Sequence, residues 1–174
     1  ASNNEITGDE LTSLTIREGT TEIGPSAMAA MKNLETVNMP TGGTLKTIGY
    51  GAFADCAALA SIDLSSVEMI GATAFFGTAL TSANLSSLKT FETITEEDYE
   101  FSMAFFGCES LTTVLFGDVE KVPADAFSGY EDEAALTFVM LGTTPPEFGE
   151  DFYLENLTVI IPARSEEHTS ELQS

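Results

Sequence analysis

Apolar residues recur along this chain in one short motif, Leu-x-x-h-x-h, where h is apolar. It reads Leu11-Leu14-Ile16, Leu34-Val37-Met39, Leu59-Ile62-Leu64, Leu111-Val114-Phe116 and Leu136-Val139-Leu141, with weaker copies at Leu80-Ala83-Leu85 and Leu157-Ile160-Pro162. Within the first four copies along the chain apolar and polar positions alternate with period two from the third position on, the signature of a short strand with one buried face. The starts at 11, 34, 59, 80, 111, 136 and 157 are spaced by 23, 25, 21, 31, 25 and 21 residues. Spacing of that kind predicts a repeat architecture of about seven units, in which a strand is buried only by stacking on its neighbours.

A second element follows each strand. Ile23-Gly24 precedes Ala27-Met28, Ile48-Gly49 precedes Ala52-Phe53, Ile70-Gly71 precedes Ala74-Phe75, and Val122-Pro123 precedes Ala126-Phe127. The large residue always comes five positions after the Ile or Val. Glycine permits a sharp bend there, and the small-plus-large pair is expected to plug the core from the opposite wall. The fourth unit departs from this rule. Phe91 takes the Ile position but Phe105 arrives fourteen residues later, which leaves an insertion near 92–100 that must loop out of the stack. Its acidic residues Glu92, Glu96, Glu97, Asp98 and Glu100 lack the alternating ligand spacing of a calcium loop, so the expectation is a solvated loop and no metal.

The repeats resemble the BspA-type leucine-rich repeat family of bacterial surface proteins, whose unit reads approximately L-x-x-I-x-(I/L)-P…I-G-x-x-A-F-x-x-C-x-x-L. Gly49-Tyr-Gly-Ala-Phe53-Ala-Asp-Cys56-Ala-Ala-Leu59 and Ala104-Phe-Phe-Gly-Cys108-Glu-Ser-Leu111 carry it most clearly. The Asn/Cys ladder position of ordinary leucine-rich repeats is absent, with Gly42 and Val67 in its place. Thr144-Pro-Pro-Glu147 and Leu157-Thr-Val-Ile-Ile-Pro-Ala163 look like the terminal repeat of this family, which normally continues further. The expected fold class is an α/β solenoid, a right-handed leucine-rich-repeat superhelix with short parallel strands on its concave side and irregular turns or short helical turns on its convex side. Residues 1–10 are read as an N-terminal leader and 11–163 as the repeat domain. Residues 164–174 are read as a non-native tail, because Arg164 to Ser174 back-translates into a common sequencing-library adapter.

Charge narrows the partners. The chain has 28 acidic and 6 basic side chains, a formal net charge of −22. Without the three acidic residues and one basic residue of the tail, 25 acidic and five basic residues remain, so the acidity belongs to the repeats. A polyanion such as nucleic acid would be repelled at every approach. No apolar run reaches the roughly 18 residues of a membrane span. Residues Ala1 to Glu10 contain neither the basic nor the apolar region of a signal peptide, so the chain is read as cytosolic or as already mature.

Catalytic chemistry has no footing in the sequence. His168, in the tail, is the sole histidine, no G-x-S-x-G occurs, and no glycine-rich turn opens a helix with a phosphate-binding lysine. The expectation is no enzyme and no cofactor. Cys56 and Cys108 occupy equivalent places two units apart. Two strand steps amount to roughly 9.6 Å, beyond the roughly 7 Å that a disulfide tolerates between Cα atoms, so buried thiols are expected. Neither histidine nor further cysteine is at hand to complete a metal site.

The outward strand positions carry the functional expectation. In the register of the motif, one row reads Ser13, Thr36, Ser61, Ser82, Thr113, Phe138, Val159 and the next Thr15, Asn38, Asp63, Asn84, Leu115, Met140, Ile161. The face changes from polar to apolar after the fourth unit. Leu115, Phe138, Met140, Val159 and Ile161 are therefore expected to form an exposed patch, either a partner site or a surface covered by another part of the protein. Asn38, Asp63 and Asn84 form an amide-carboxylate-amide ladder able to hydrogen-bond the hydroxyls of a glycan. The family resemblance implies a secreted or cell-surface, adhesin-like binding module of a host-associated bacterium, with a protein of the host matrix or of a bacterial surface as its partner. The alternatives are a structural spacer displaying another domain and a carbohydrate-binding module.

Overall fold

Apolar positions with period two, interrupted every few residues by Gly, Pro or Asp, cannot sustain long strands, and the computed structural model contains short ones only. It describes residues 10–96, 99–129 and 135–162. The leader up to residue 9 and the tail Arg164–Ser174 lie outside the described residues, as do Glu97 and Asp98 of the insertion.

The Leu-x-x-h-x-h motifs build the first wall. Strands β1 (Ser13–Thr15) and β3 (Thr36–Asn38) pair in parallel, and a parallel bridge from Thr36 to Ser61 joins the third coil to them. Strands β6 (Ser82–Leu85), β10 (Thr113–Phe116), β12 (Leu136–Met140) and β14 (Leu157–Ile160) continue as a four-stranded parallel sheet. The Ile-Gly elements build the second wall, from β2 (Glu22–Ile23), β4 (Thr47–Ile48), β5 (Met69–Ile70) and β7 (Thr90–Phe91), followed by β11 (Lys121–Val122) and β13 (Glu147–Phe148).

The third wall consists of turns. All elements among the described residues are strands, so the α/β label and the helical turns of the sequence expectation give way to the irregular turns offered beside them. Every second amide of a turn donates to the next coil: Gly51 N–H to Ala72 O, Phe53 N–H to Ala74 O and Asp55 N–H to Phe76 O, at 2.8–2.9 Å. Residues with positive φ, such as Gly51 (57°) and Asp55 (60°), sit in the third-coil and fourth-coil turns as Thr73 (55°) and Gly77 (63°), then Met103 (49°) and Gly107 (68°). These left-handed residues tilt alternate amides towards the neighbouring coil, so the backbone is satisfied between coils and no helix is needed.

Apolar side chains from all three walls meet in one core. Phe53, Phe75, Phe105 and Phe127 are buried and stack in sequence, with centroids 5.6, 5.1 and 5.1 Å apart and nearly parallel planes. The plug expected from the A-F pairs is therefore a continuous aromatic ladder. Close approach at the corner after the second wall explains its glycines. A Cβ on Gly71 would lie 2.4 Å from Tyr50 N and 2.5 Å from Gly49 C.

Cys56 and Cys108 are buried free thiols. Thr78 occupies the equivalent place in the coil between them. Its Oγ1 lies 3.2 Å from Cys108 Sγ, which also donates to Phe75 O at 3.1 Å, while Cys56 Sγ donates to Met28 O at 3.1 Å. Both sulfurs are thus spent on the inter-coil backbone.

The insertion does loop out, and it is ordered by pairing with itself. Strands β8 (Ile94–Glu96) and β9 (Tyr99–Phe101) form an antiparallel hairpin, the one antiparallel pair among the described residues. Thr93 Oγ1 donates to the Glu100 carboxylate across its base, and Tyr99 stacks on Phe101 with centroids 6.3 Å apart. Among the described residues no group of three metal-ligating side chains comes together.

Candidate functional site

The outward side chains of the first wall form two rows about 4.8 Å per step. Strand pairing sets their register. Ser13 faces Thr36, Thr36 faces Ser61, Ser82 faces Thr113, Thr113 faces Thr137 and Thr137 faces Thr158. One hydroxyl therefore stands on every coil. The second row runs through Thr15 and Asn38, then Asp63, then Asn84, Leu115, Val139 and Ile160.

This register corrects the expected patch. Val114 pairs with Phe138 and Phe116 with Met140, one residue away from the alignment of the Leu motifs. Phe138 is 0% exposed and Met140 8%, so both side chains point into the core. The cause is volume. Phe138 packs edge-on against Phe116 at 5.1 Å and against Phe127 at 5.3 Å, filling space that Val139 is too small to fill. Leu136 turns inward with it and is also buried. A signal for the slip existed in the sequence: Thr137 and Thr158 keep a hydroxyl in the outward row only in the observed register.

Of the remaining patch residues, Leu115 faces outward and is half-buried. Val159 belongs to the inward column of Phe138, yet is 48% exposed because β14 is the last strand of its sheet. Ile161 follows β14 and is 74% exposed. The polar-to-apolar change after the fourth coil survives, carried by Leu115, Val139 and Ile160 in place of Leu115, Met140 and Ile161.

Asn38, Asp63 and Asn84 do share the second row, but their polar atoms are partly engaged. Asn38 Nδ2 donates to Thr15 Oγ1 at 3.2 Å. Asp63 Oδ1 accepts the Ser65 amide at 3.0 Å and Asn84 Oδ1 the Ser86 amide at 3.2 Å, which closes the corner after each strand. Hydrogen bonds from Ser65 hold the Asp63 carboxyl below the usual carboxylate range. The same device acts between coils at other corners. Thr41 donates to Glu18 and Thr143 to Asp118, and both carboxyls are lowered by those bonds.

Chemically, the two rows offer a hydroxyl on each of the seven coils, amides or a carboxylate on the second to fourth, and apolar contact on the last three. No helix of the described residues is long and apolar enough to cross a membrane. Comparison with curated proteins finds no match. Among solved structures, the pneumococcal vaccine antigen PcpA superposes with a TM-score of 0.67 at 17% identity, over 90% of this chain and 43% of that one. A leucine-rich repeat protein from Bacteroides ovatus gives a TM-score of 0.45 at 18% identity, over 87% of this chain and 56% of that one. The chain thus spans less than half the length of the pneumococcal antigen, with which it shares the solenoid fold. The model for the BspA type leucine rich repeat region matches six copies over residues 7–102, more than half of the sequence, and the same coils continue structurally to Ile160. On its repeats and its coil geometry together, the chain belongs to the BspA-type leucine-rich repeat family.

Proposed function

We propose that this chain is a non-enzymatic binding module, displayed on or secreted from a host-associated bacterium, that contacts a protein partner through the outward face of its first wall. The observation that carries the reading is the apolar half of the second row. Leu115, Val139 and Ile160 stand side by side on neighbouring strands next to the hydroxyls of Thr113, Thr137 and Thr158. Apolar groups flanked by hydrogen-bonding groups on a rigid sheet suit a protein surface better than they suit a spacer, which gains nothing from exposing them. Val159 and Ile161 are exposed beside this contact at the last strand of the sheet, while Phe138 and Met140 support it from beneath. Membership of a family of bacterial surface proteins favours the location, and proteins of the host matrix or of another bacterial surface are the partner class.

The continuous hydroxyl row favours a second reading, in which a glycan lies along Ser13 to Ser82 with Asn38, Asp63 and Asn84 beside it. Capture of purified extracellular-matrix proteins on the immobilised chain separates the two. Leu115→Asp with Val139→Asp should abolish capture and leave the melt within a few degrees, whereas Asn38→Ala with Asp63→Asn should leave capture intact. Loss only in the second pair would favour the glycan, and no capture by the unsubstituted chain would favour the spacer.

A further inference from the structure

The hairpin of the fourth coil does more than leave the stack. It stands beside the second wall and closes one side of a groove of about 620 Å³ that runs over the fourth to sixth coils. The coils contribute the apolar Phe91, Pro123 and Ala124 to its floor, and the hairpin contributes Tyr99. Tyr99 is 60% exposed and lies beside Phe101, with ring centroids 6.3 Å apart. Around the floor the groove gathers five carboxylates, Glu100, Glu120, Glu147, Glu150 and Asp151, against the two ammonium groups of Lys89 and Lys121. Among the described residues both hairpin strands pair only with each other, so the hairpin offers a free backbone edge.

From this groove we infer a second binding site, for an extended peptide segment carrying arginine side chains. Its volume lies within the range of built ligand sites, roughly 300–1,000 Å³. The excess of three negative charges selects a cation. The separation of the carboxylates over three coils, each about 4.8 Å apart, matches an extended segment with several cations better than a single ion. Arginine fits best because its planar guanidinium can stack on Tyr99 and pair two-pronged with a carboxylate. A free strand edge on the hairpin can hydrogen-bond the peptide backbone. This site lies on a different wall from the partner face proposed above and does not depend on it.

The test is fluorescence anisotropy at physiological salt with a fluorescein-labelled octapeptide of alternating arginine and valine, and its citrulline counterpart. Glu147→Gln with Glu150→Gln removes two exposed carboxylates of the groove. Glu22→Gln with Glu35→Gln removes two exposed carboxylates of the first coils and controls for the net charge of the chain. The groove pair should weaken binding at least tenfold and the control pair less than twofold. Tyr99→Ala should weaken it several-fold, and the citrulline peptide should bind at least tenfold more weakly. Equal losses in the two pairs would mean attraction to an acidic surface at large and would overturn the site. Equal binding of the citrulline peptide, or no measurable binding of the arginine peptide, would overturn it as well.

Discussion

Replacing Phe138 by Ala tests the register on which the outward face depends. The ring is wholly buried, with centroids 5.1 Å from Phe116, 5.3 Å from Phe127, 6.2 Å from Phe152 and 6.3 Å from Phe148. Truncating a buried Phe costs about 3–5 kcal/mol, and four aromatic neighbours place this site in the upper half of that range. Val139→Ala removes two methyl groups from a half-buried outward position, for about 1 kcal/mol. Stability in a solenoid is a sum of coils and of contacts between adjacent coils, so the loss at Phe138 falls on the coils of β10 to β14. Urea unfolding followed by circular dichroism should show Phe138→Ala with an early transition for those coils, or a midpoint lowered by about 2–2.5 M at a slope of roughly 2 kcal/mol/M. Val139→Ala should move it by about 0.5 M or less. A larger loss at Val139 than at Phe138 would refute the observed register and restore the motif alignment.

Gly71→Ala places a Cβ 2.4 Å from Tyr50 N, so two coils must separate, and a loss of about 3 kcal/mol or more is expected in the same assay. Gly107→Ala, at φ +68° with open space around it, should cost only about 1–2 kcal/mol. Burial pushes the Cys108 thiol up to about 11 and raises Cys56 too, so neither should react with a disulfide reagent in the folded chain at pH 8, while the urea-unfolded chain should release two thiols within minutes. Rapid native labelling of one thiol would contradict their burial. Glu18, Asp63 and Asp118 have lowered folded pKa values, so the unfolded chain binds their protons more tightly and their contribution is present above about pH 4 and lost as pH falls through the folded values. Melting temperature should be level between pH 7 and pH 5 and fall below, and Asp118→Asn should flatten part of that fall.

The solenoid was legible because its signal is repeated. Each Ile-Gly-x-x-Ala-Phe copy names a strand, a corner and a core plug, and Phe53, Phe75 and Phe127 stand where the spacing put them, with Phe105 joining them beyond the insertion. Register within a strand was less legible, because period two offers two answers and the choice between them is made by volume across the core. At Leu136-Thr-Phe138-Val-Met140 both frames place apolar residues inward, and Phe138 wins because the rings of Phe116 and Phe127 leave room for an aromatic. The turns of the third wall also escaped a motif reading, since residues as different as Thr73, Asp55 and Met103 all adopt positive φ there under the demand of hydrogen bonds between coils. The hairpin was visible as extra length only. Its groove depends on side chains of the fourth, fifth and sixth coils that no local pattern connects.

A photo-crosslinking amino acid at position 139 tests the proposed contact face most directly. Placed at Val139 on the outward row, it should form covalent adducts with the extracellular-matrix protein that the unsubstituted chain captures, while the same group at the exposed Lys32, on the turn wall of the first coil, should form none. Adducts from position 32 alone, or equal yields from both positions, would contradict the assignment of the first wall as the binding face.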